Sequence, residues 1–420
     1  MSQAHAVRVE SKCPYHAGLA ANAGLAANDS EIDERKSAAM ATANGARTKK
    51  LANGGIKVES FALTRKILRG GGTRQAGFMA DLVSRATAKG STPVLFQEGE
   101  VHQKQRTATA RFFAPRVVTT RYRELMDRLS EGLMDRLRAG GKADLSAMSL
   151  EMAVAVAAEI IGLTDSSLIG MSGRLNSFFT RGDSHRIGRL RHAFNQLLNK
   201  FSLLGFFWMD VKPAIRARRK ERKEDVISYL IDQGYSDTEI LTECMTYGAA
   251  GMVTTREFIV MAAWHLMERD TLRRQFVETD EAGRIAILEE ILRLEPVVGA
   301  LYRRAAQDLE IDHDGETIHV PAGTLIEMDI RAANADPIVA GECPHQLKPD
   351  RGEKKAMQGQ MSFGDGNHRC PGATVALQET AIFLDRLFRI PGLKLEQGPA
   401  LAWNTLTVGY ELRDAILTVG

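Results

Sequence analysis

Cysteine is scarce in this chain: there are four among 420 residues, Cys13, Cys244, Cys343 and Cys370, far apart and without a CxxC pair. That spacing argues against a disulfide framework or a zinc ribbon and fits a reducing compartment, so a cytoplasmic location is expected. Cys13 and His16, in CPYH, read as tail residues because no second pair stands at metal-binding spacing. Long apolar runs are missing too. The most apolar short stretch, FSLLGFFWM at 201–209, falls well below the roughly 18–20 residues of a membrane span. The N-terminus lacks the charged-then-apolar pattern of a secretion signal. Nor is there a charge excess: 55 Lys+Arg against 52 Asp+Glu leave +3, which makes no case for a nucleic-acid partner. With 44% hydrophobic and 25% charged residues, the composition is that of a globular chain long enough to bury a large core.

Residues 1–50 are rich in Ala, Asn, Ser and Gly and repeat AGLAAN at 17–22 and 23–28, so they read as a mobile or loosely attached arm. Residues 51–420 show no internal boundary and read as one large domain, mainly α with a small β component. Helical spacing recurs through YRELMDRLSEGLMDRL and around 145–163. The capping-box spacing of SDTE, 236–239, opens a pattern that runs without proline to about Asp270 and is apolar on all sides in its second half. This predicts a long helix through the interior. Strand alternation appears late, in DLEIDHDGETIHVPAGTLIEMDI, and in a further short pair around LTVGYELRDAILTV.

One cysteine stands out by its neighbours, in FGDGNHRCPG at 363–372. A lone cysteine is ordinarily a small buried hydrophobe. Here Pro371 suits the first position of a helix, whose positive end favours a thiolate, and Gly372 leaves room for a flat group close to the backbone. Such a thiolate suits either a catalytic nucleophile or an axial ligand to haem iron.

FGDGNHRCPG resembles the cysteine-ligand loop of the cytochrome P450 family, F-x-x-G-x-x-x-C-x-G, with every fixed position filled. The resemblance covers roughly 56–420. It implies a b-type haem, with Cys370 as the iron ligand, Phe363 packed on the sulfur side, Gly364 and Gly366 in the tight loop, and His368 toward a propionate. EILR matches the family's E-x-x-R, so Glu290 and Arg293 share a helix face and Arg351, in KPDRG, is implied as their third partner. Arg303 in RRAAQD is implied to face a propionate, with Arg304 as the surface residue, though the two are interchangeable on sequence. His102 and Arg106, one turn apart in HQKQR, are implied as two more propionate donors.

The central helix carries AAGMVTT, where Ala250, Gly251 and Thr254 fill the family's oxygen-side pattern and Thr255 follows. Small residues at 250 and 251 would let the helix pass close to the haem, and the Thr254 hydroxyl can bond back to a carbonyl and loosen the helix. The departure is Val253, where the family has an acid; Glu257, one turn along, stands either as a substitute relay or as a structural acid.

Alignment by order implies a mostly apolar substrate pocket with Phe78, Met79, Leu82, Phe178, Phe179, Val253, Val298 and Leu406. The activity implied is O2-dependent hydroxylation or oxidative dealkylation of a small apolar organic molecule. Lys104, Arg106, Lys354, Lys355 and Arg369 would form a basic face for an acidic, ferredoxin-type electron donor with its reductase. Val253 keeps a second reading open, in which the same fold works with peroxide or as an isomerase or dehydratase. A haem-free cysteine hydrolase finds no base or oxyanion partner beyond His368, two residues from the sulfur.

Overall fold

The computed structural model describes residues 33–43, 54–78, 80, 92–168, 170–174, 202–313, 315–353 and 360–420. The principal helices, in chain order, are α1 (Ala38–Ala43), α2 (Phe61–Arg69), α3 (Gly99–Ala110), α4 (Arg123–Gly140), α5 (Leu145–Ile161), α6 (Lys212–Lys220) and α7 (Val226–Asp232). They continue with α8 (Asp237–Gly248), α9 (Thr254–Met267), α10 (Asp270–Glu278), α11 (Glu281–Leu294), α12 (Ile330–Asn334), α13 (Pro337–Ala340) and α14 (Ala373–Phe388). Strands cluster toward the two ends of the chain, and the architecture is mainly α with a small β part.

The long central helix is built as the alternation of apolar residues suggests, with one change. Ser236 and Glu239 form the expected reciprocal capping box. The helix then passes through a π-helical turn, Ala249–Val253, before resuming as α9 and stopping at Met267. Every residue from Thr255 to Ala263 is buried, because α9 lies against both α5 and α14 in the larger core. Periodicity alone does not reveal such a turn, since one extra residue in the ladder leaves the apolar count unchanged.

Among the described residues the strands form four small sheets. In the largest, the order is β1 (Ile56–Val58), β7 (Leu325–Asp329), β4 (Ala300–Ala305) and β2 (Thr73–Gln75). This sheet and α2 enclose a second core around Val58, Phe61, Ile67, Ile326, Met328 and Met361. The alternating stretch at 309–320 is a hairpin of β5 (Leu309–His313) and β6 (Glu316–Val320). The C-terminal alternation does not pair with itself as expected. β10 (Gly409–Arg413) pairs with β9 (Ala400–Asn404), whereas β11 (Ile416–Thr418) lies between β3 (Lys142–Asp144) and β8 (Lys394–Gln397). Asp414, at φ 57, sits between the two strands as the chain moves from one sheet to the other.

Two further features depart from the sequence reading. Cys343 is disulfide-bonded, while Cys244 and Cys370 are free. At the N-terminal side, Ser37 is buried and its N–H and hydroxyl donate to the buried Glu295 carboxylate at the end of α11. Among the described residues, no helix is long and apolar enough to cross a membrane.

Candidate active site around Cys370

The cysteine loop is fixed before its chemistry begins. A 3-10 turn at Met361–Phe363 and another at Gly366–His368 fold it back so that the Cys370 N–H donates to the Phe363 carbonyl at 2.8 Å. Gly366 is obligatory: at φ 66, a side-chain carbon there would sit 2.1 Å from the Leu68 carbonyl oxygen. Asp365 accepts from its neighbour's N–H and from Arg65 and Arg69 of α2, at 3.1 and 3.0 Å. Burial works against that charge, yet these donors hold the Asp365 carboxyl below its ordinary value. Helix α14 begins at Ala373 with Gly372 as its N-cap, so Pro371 precedes the helix rather than occupying its first turn.

Behind the loop, the E-x-x-R pair is buried and bidentate. Arg293 donates to both Glu290 oxygens at 2.7 and 2.8 Å, and Arg351 adds a third bond to Glu290 at 3.0 Å. The remaining donors of both guanidinium groups go to carbonyls at Asn334, Ala340, Glu342, Cys343, Pro344 and Gln346. The triad implied by the resemblance is thus assembled, and it pins the end of α11 to the chain entering the cysteine loop. Asn334 was missed. Its amide bonds the Arg293 carbonyl, the Ser362 hydroxyl and the Met361 N–H, joining α11 to the loop directly.

Cys370 is accessible to solvent, yet enough protein surrounds it that burial pushes its thiol above the ordinary value. The Gly372 N–H and the charges of Arg106 and Arg369 work the other way. Accessibility and desolvation together describe a group lining an internal recess. The helix end alone therefore does not make the thiolate that sequence suggests; a bound metal cation would.

The donors expected for two carboxylates are gathered on one side. His102 stacks on His368 with centroids 4.0 Å apart. Arg106 donates to the Arg369 carbonyl at 2.5 Å. Arg303 is buried, whereas Arg304 donates to the Gly323 carbonyl nearer the surface. One carboxylate already sits among them: Glu98 accepts from Arg303 and His368, each at 3.0 Å, and from the Gln75 N–H at 2.7 Å. Burial would raise it, but His368, Gln75 and Arg303 hold it low. Glu98 too was missed in the sequence, although its place just before α3, four residues ahead of His102, was a signal. A donor set that steadies one carboxylate, beside an accessible cysteine in a recess, fits a porphyrin carrying propionates and a thiolate-bound iron.

On the central helix, Ala250 is exposed while its neighbours along α9 are buried, as expected of a residue facing a recess. Gly251 faces Ala157 of α5, where a side-chain carbon would make an ordinary contact at 3.7 Å. The Thr254 hydroxyl donates to the Ala250 carbonyl at 2.5 Å, just where the π turn loosens the ladder. Thr255 is buried beside it. Glu257 is not available as a relay. It is buried, and its oxygens accept from Arg256 at 2.8 Å, Arg413 at 2.6 Å and the Leu412 N–H at 2.7 Å, which fasten α9 to β10.

Of the pocket candidates, Phe78, Val253 and Val298 are half-buried and Leu406 is exposed. Met79, Leu82, Phe178 and Phe179 lie outside the described residues, as do Lys354 and Lys355 of the basic face.

The fold and the cysteine site define a haem-thiolate protein, and comparison with known proteins agrees. The family profile for cytochrome P450 matches residues 285–397, the stretch holding the E-x-x-R pair and the cysteine loop. Plant-inducible cytochrome P450-pinF1 of Rhizobium radiobacter is 27% identical over 318 residues, covering 70% of this chain and 68% of that protein. The biotin biosynthesis cytochrome P450 of Bacillus subtilis is 26% identical over 309 residues, covering 72% of this chain and 74% of its own. Among solved structures, substrate-free CYP109E1 of Bacillus megaterium superposes with a TM-score of 0.73 at 20% identity, covering 91% of this chain and 98% of that one. P450BioI in complex with an acyl carrier protein bearing hexadec-9Z-enoic acid gives 0.70 at 22% identity, with 87% and 93% covered. The chain is similar to cytochromes P450 in sequence across the cysteine-loop stretch and in fold over most of its length. It is an oxidoreductase whose cofactor is haem held through a cysteine thiolate.

Proposed function

We propose that the protein hydroxylates or oxidatively dealkylates a small, mostly apolar organic molecule, drawing electrons from a separate ferredoxin-type donor. The observation that carries this reading is Cys370, accessible within a recess and receiving the Gly372 N–H. Haem bound through Cys370 supplies the activation of O2, and the thiolate's electron donation favours O–O cleavage.

The chain's own residues do the rest. Arg303, His368, His102 and Arg106 fit the propionates and fix the cofactor's orientation, so that two carboxylates are not buried unpaired. Thr254 holds its hydroxyl against the Ala250 carbonyl at a loosened turn, where it can also hold a water and pass a proton from it. Val298, Val253 and Leu406 offer the substrate apolar contacts and exclude water from it. Lys104 and Arg369, both exposed, present positive charge on the cysteine-loop side to an acidic donor.

The proton path is where this chain departs from the family pattern that AAGMVTT otherwise resembles, because Val253 carries no acid and Glu257 is consumed in ion pairs. The test compares turnover with ferredoxin, reductase and NAD(P)H against turnover with hydrogen peroxide. A reduced carbon monoxide complex with the thiolate Soret band, lost in Cys370→Ser, and faster O2-coupled turnover in Val253→Asp are the expected results. Product formed only with peroxide, unchanged by Val253→Asp, would sink the monooxygenase reading in favour of peroxide chemistry.

A further inference from the structure

The backbone beside two residues implied to border the pocket, Val298 and Leu406, is joined by a side chain that neither stretch contributes. Arg331, on the first turn of α12, is buried at 8% exposure and donates to the Val408 carbonyl at 2.6 Å and the Pro296 carbonyl at 3.2 Å. Its guanidinium lies over the Trp403 ring, 4.8 Å from the centroid, at the base of the β9–β10 turn. Close by, the Gly299 N–H donates to the Thr407 carbonyl at 3.0 Å, and the Ile330 N–H to the Gly299 carbonyl at 2.9 Å.

The fit leaves no slack. A side-chain carbon at Gly299 would lie 1.3 Å from Arg331 Nη1 and 2.2 Å from the Val408 carbonyl oxygen. At Gly409 it would lie 2.0 Å from the Val297 carbonyl oxygen. The turn itself is held in an unfavourable shape: Val408 has φ 49, a left-handed conformation that a β-branched residue rarely adopts. The Asn404 side chain accepts from the Leu406 and Thr407 N–H groups and shapes the turn from within.

Arg331 is an expensive way to brace two loops. Among the described residues its hydrogen bonds go to carbonyls rather than to a carboxylate, and its Nε has no hydrogen-bond partner. Burial draws its pKa down, with Asp329 and Glu295 acting against that from further off. A buried cation satisfied by carbonyls alone is retained where its geometry does something that an apolar residue would not. Strained backbone that the surroundings over-determine is likewise a mark of functional sites.

We propose that Arg331 is a positioning residue for substrate selectivity, a clamp holding the 404–409 turn, with Leu406 at its tip, in fixed register with Val298. This rests on the haem-thiolate reading above, in which those two residues border the pocket. Removing the clamp frees the turn from its left-handed Val408 and enlarges the space between the segments, so ligands that reach the pocket wall lose contacts while ligands confined to the iron do not. Lysine does not replace it, because one ammonium does not span both carbonyls and stack on Trp403.

The experiment uses the haem-loaded full chain and two iron-binding probes, imidazole and 4-phenylimidazole, followed by the shift of the Soret band. Arg331→Met and Arg331→Lys are expected to keep the carbon monoxide spectrum and to bind imidazole within about twofold of the parent. Their affinity for 4-phenylimidazole should fall by about tenfold. In the same variants, amide exchange at 405–409 should speed up while exchange in α9 stays unchanged. Should Arg331→Met fail to fold, Trp403→Leu removes the stack and is read the same way. Equal losses for both probes, or unchanged exchange at 405–409, would overturn the clamp while leaving the haem intact. Absence of any Soret shift or carbon monoxide band in the parent would instead overturn the haem reading on which it stands.

Discussion

His102 and His368 lie face to face, with ring centroids 4.0 Å apart and planes 15° from parallel. Burial, then the charges of His368 and Arg106, pull the His102 pKa down to about 4, so its ring is neutral at pH 7 and offers a single N–H. His102→Phe keeps the stacking surface and removes that donor. Haem loss to a haem-free globin scavenger should then accelerate by about tenfold, the worth of one hydrogen bond to a carboxylate. An unchanged rate would mean that His102 serves only to seat His368.

Glu290 stands between two guanidinium groups, with Arg293 and Arg351 each within 3.0 Å of it. Glu290→Gln leaves both cations buried without their carboxylate and should cost about 3–5 kcal/mol. Denaturant unfolding of the haem-loaded protein measures this as a lower midpoint. Arg293→Lys should do comparable harm, since an ammonium does not cover Glu290, Asn334 and Pro344 together.

Glu379, on the second turn of α14, is buried, and its Oε1 has no hydrogen-bond partner. Burial alone pushes its pKa up to about 8. The unfolded chain releases this proton at a lower pH than the folded one, so its contribution is fully present below the ordinary glutamate value near 4.5 and drains away as pH rises toward 8. Glu379→Gln removes that loss, on the order of a few kcal/mol. Thermal unfolding should show a higher midpoint than the parent at pH 8 and little difference at pH 5. A gain of equal size at both values would point to packing rather than ionisation.

Much of the site was legible because its key residues sit close together in sequence. Cys370 with its glycines, Glu290 with Arg293, and His102 with Arg106 each declare themselves within a turn or a loop, where spacing dictates geometry. What escaped notice joins segments far apart in the chain. Glu98 meets Arg303 and His368, Asn334 meets Arg293 and Met361, and Arg331 meets Pro296 and Val408; none carries a local pattern announcing its partner. The fold followed the same rule. The apolar run of α8 and α9 predicted an interior helix, while the π turn at Ala249–Val253 and the splitting of β10 and β11 between sheets depend on tertiary neighbours. Glu257 shows the limit from the other side: its spacing from Thr254 suited a relay, and only the approach of Arg413 and Leu412 from the far end of the chain made it a strut.

The contact of Asp365 with Arg65 and Arg69 spans 300 and 296 positions of the chain. A ribosome delivers α2 early and the cysteine loop nearly last, so the helix must wait through most of synthesis for its partner. The entropy of closing so large a ring falls on the final stage of folding. Chains halted before residue 361 therefore lack Asp365 and leave the second core open, which marks them for chaperones and proteases rather than for cofactor loading.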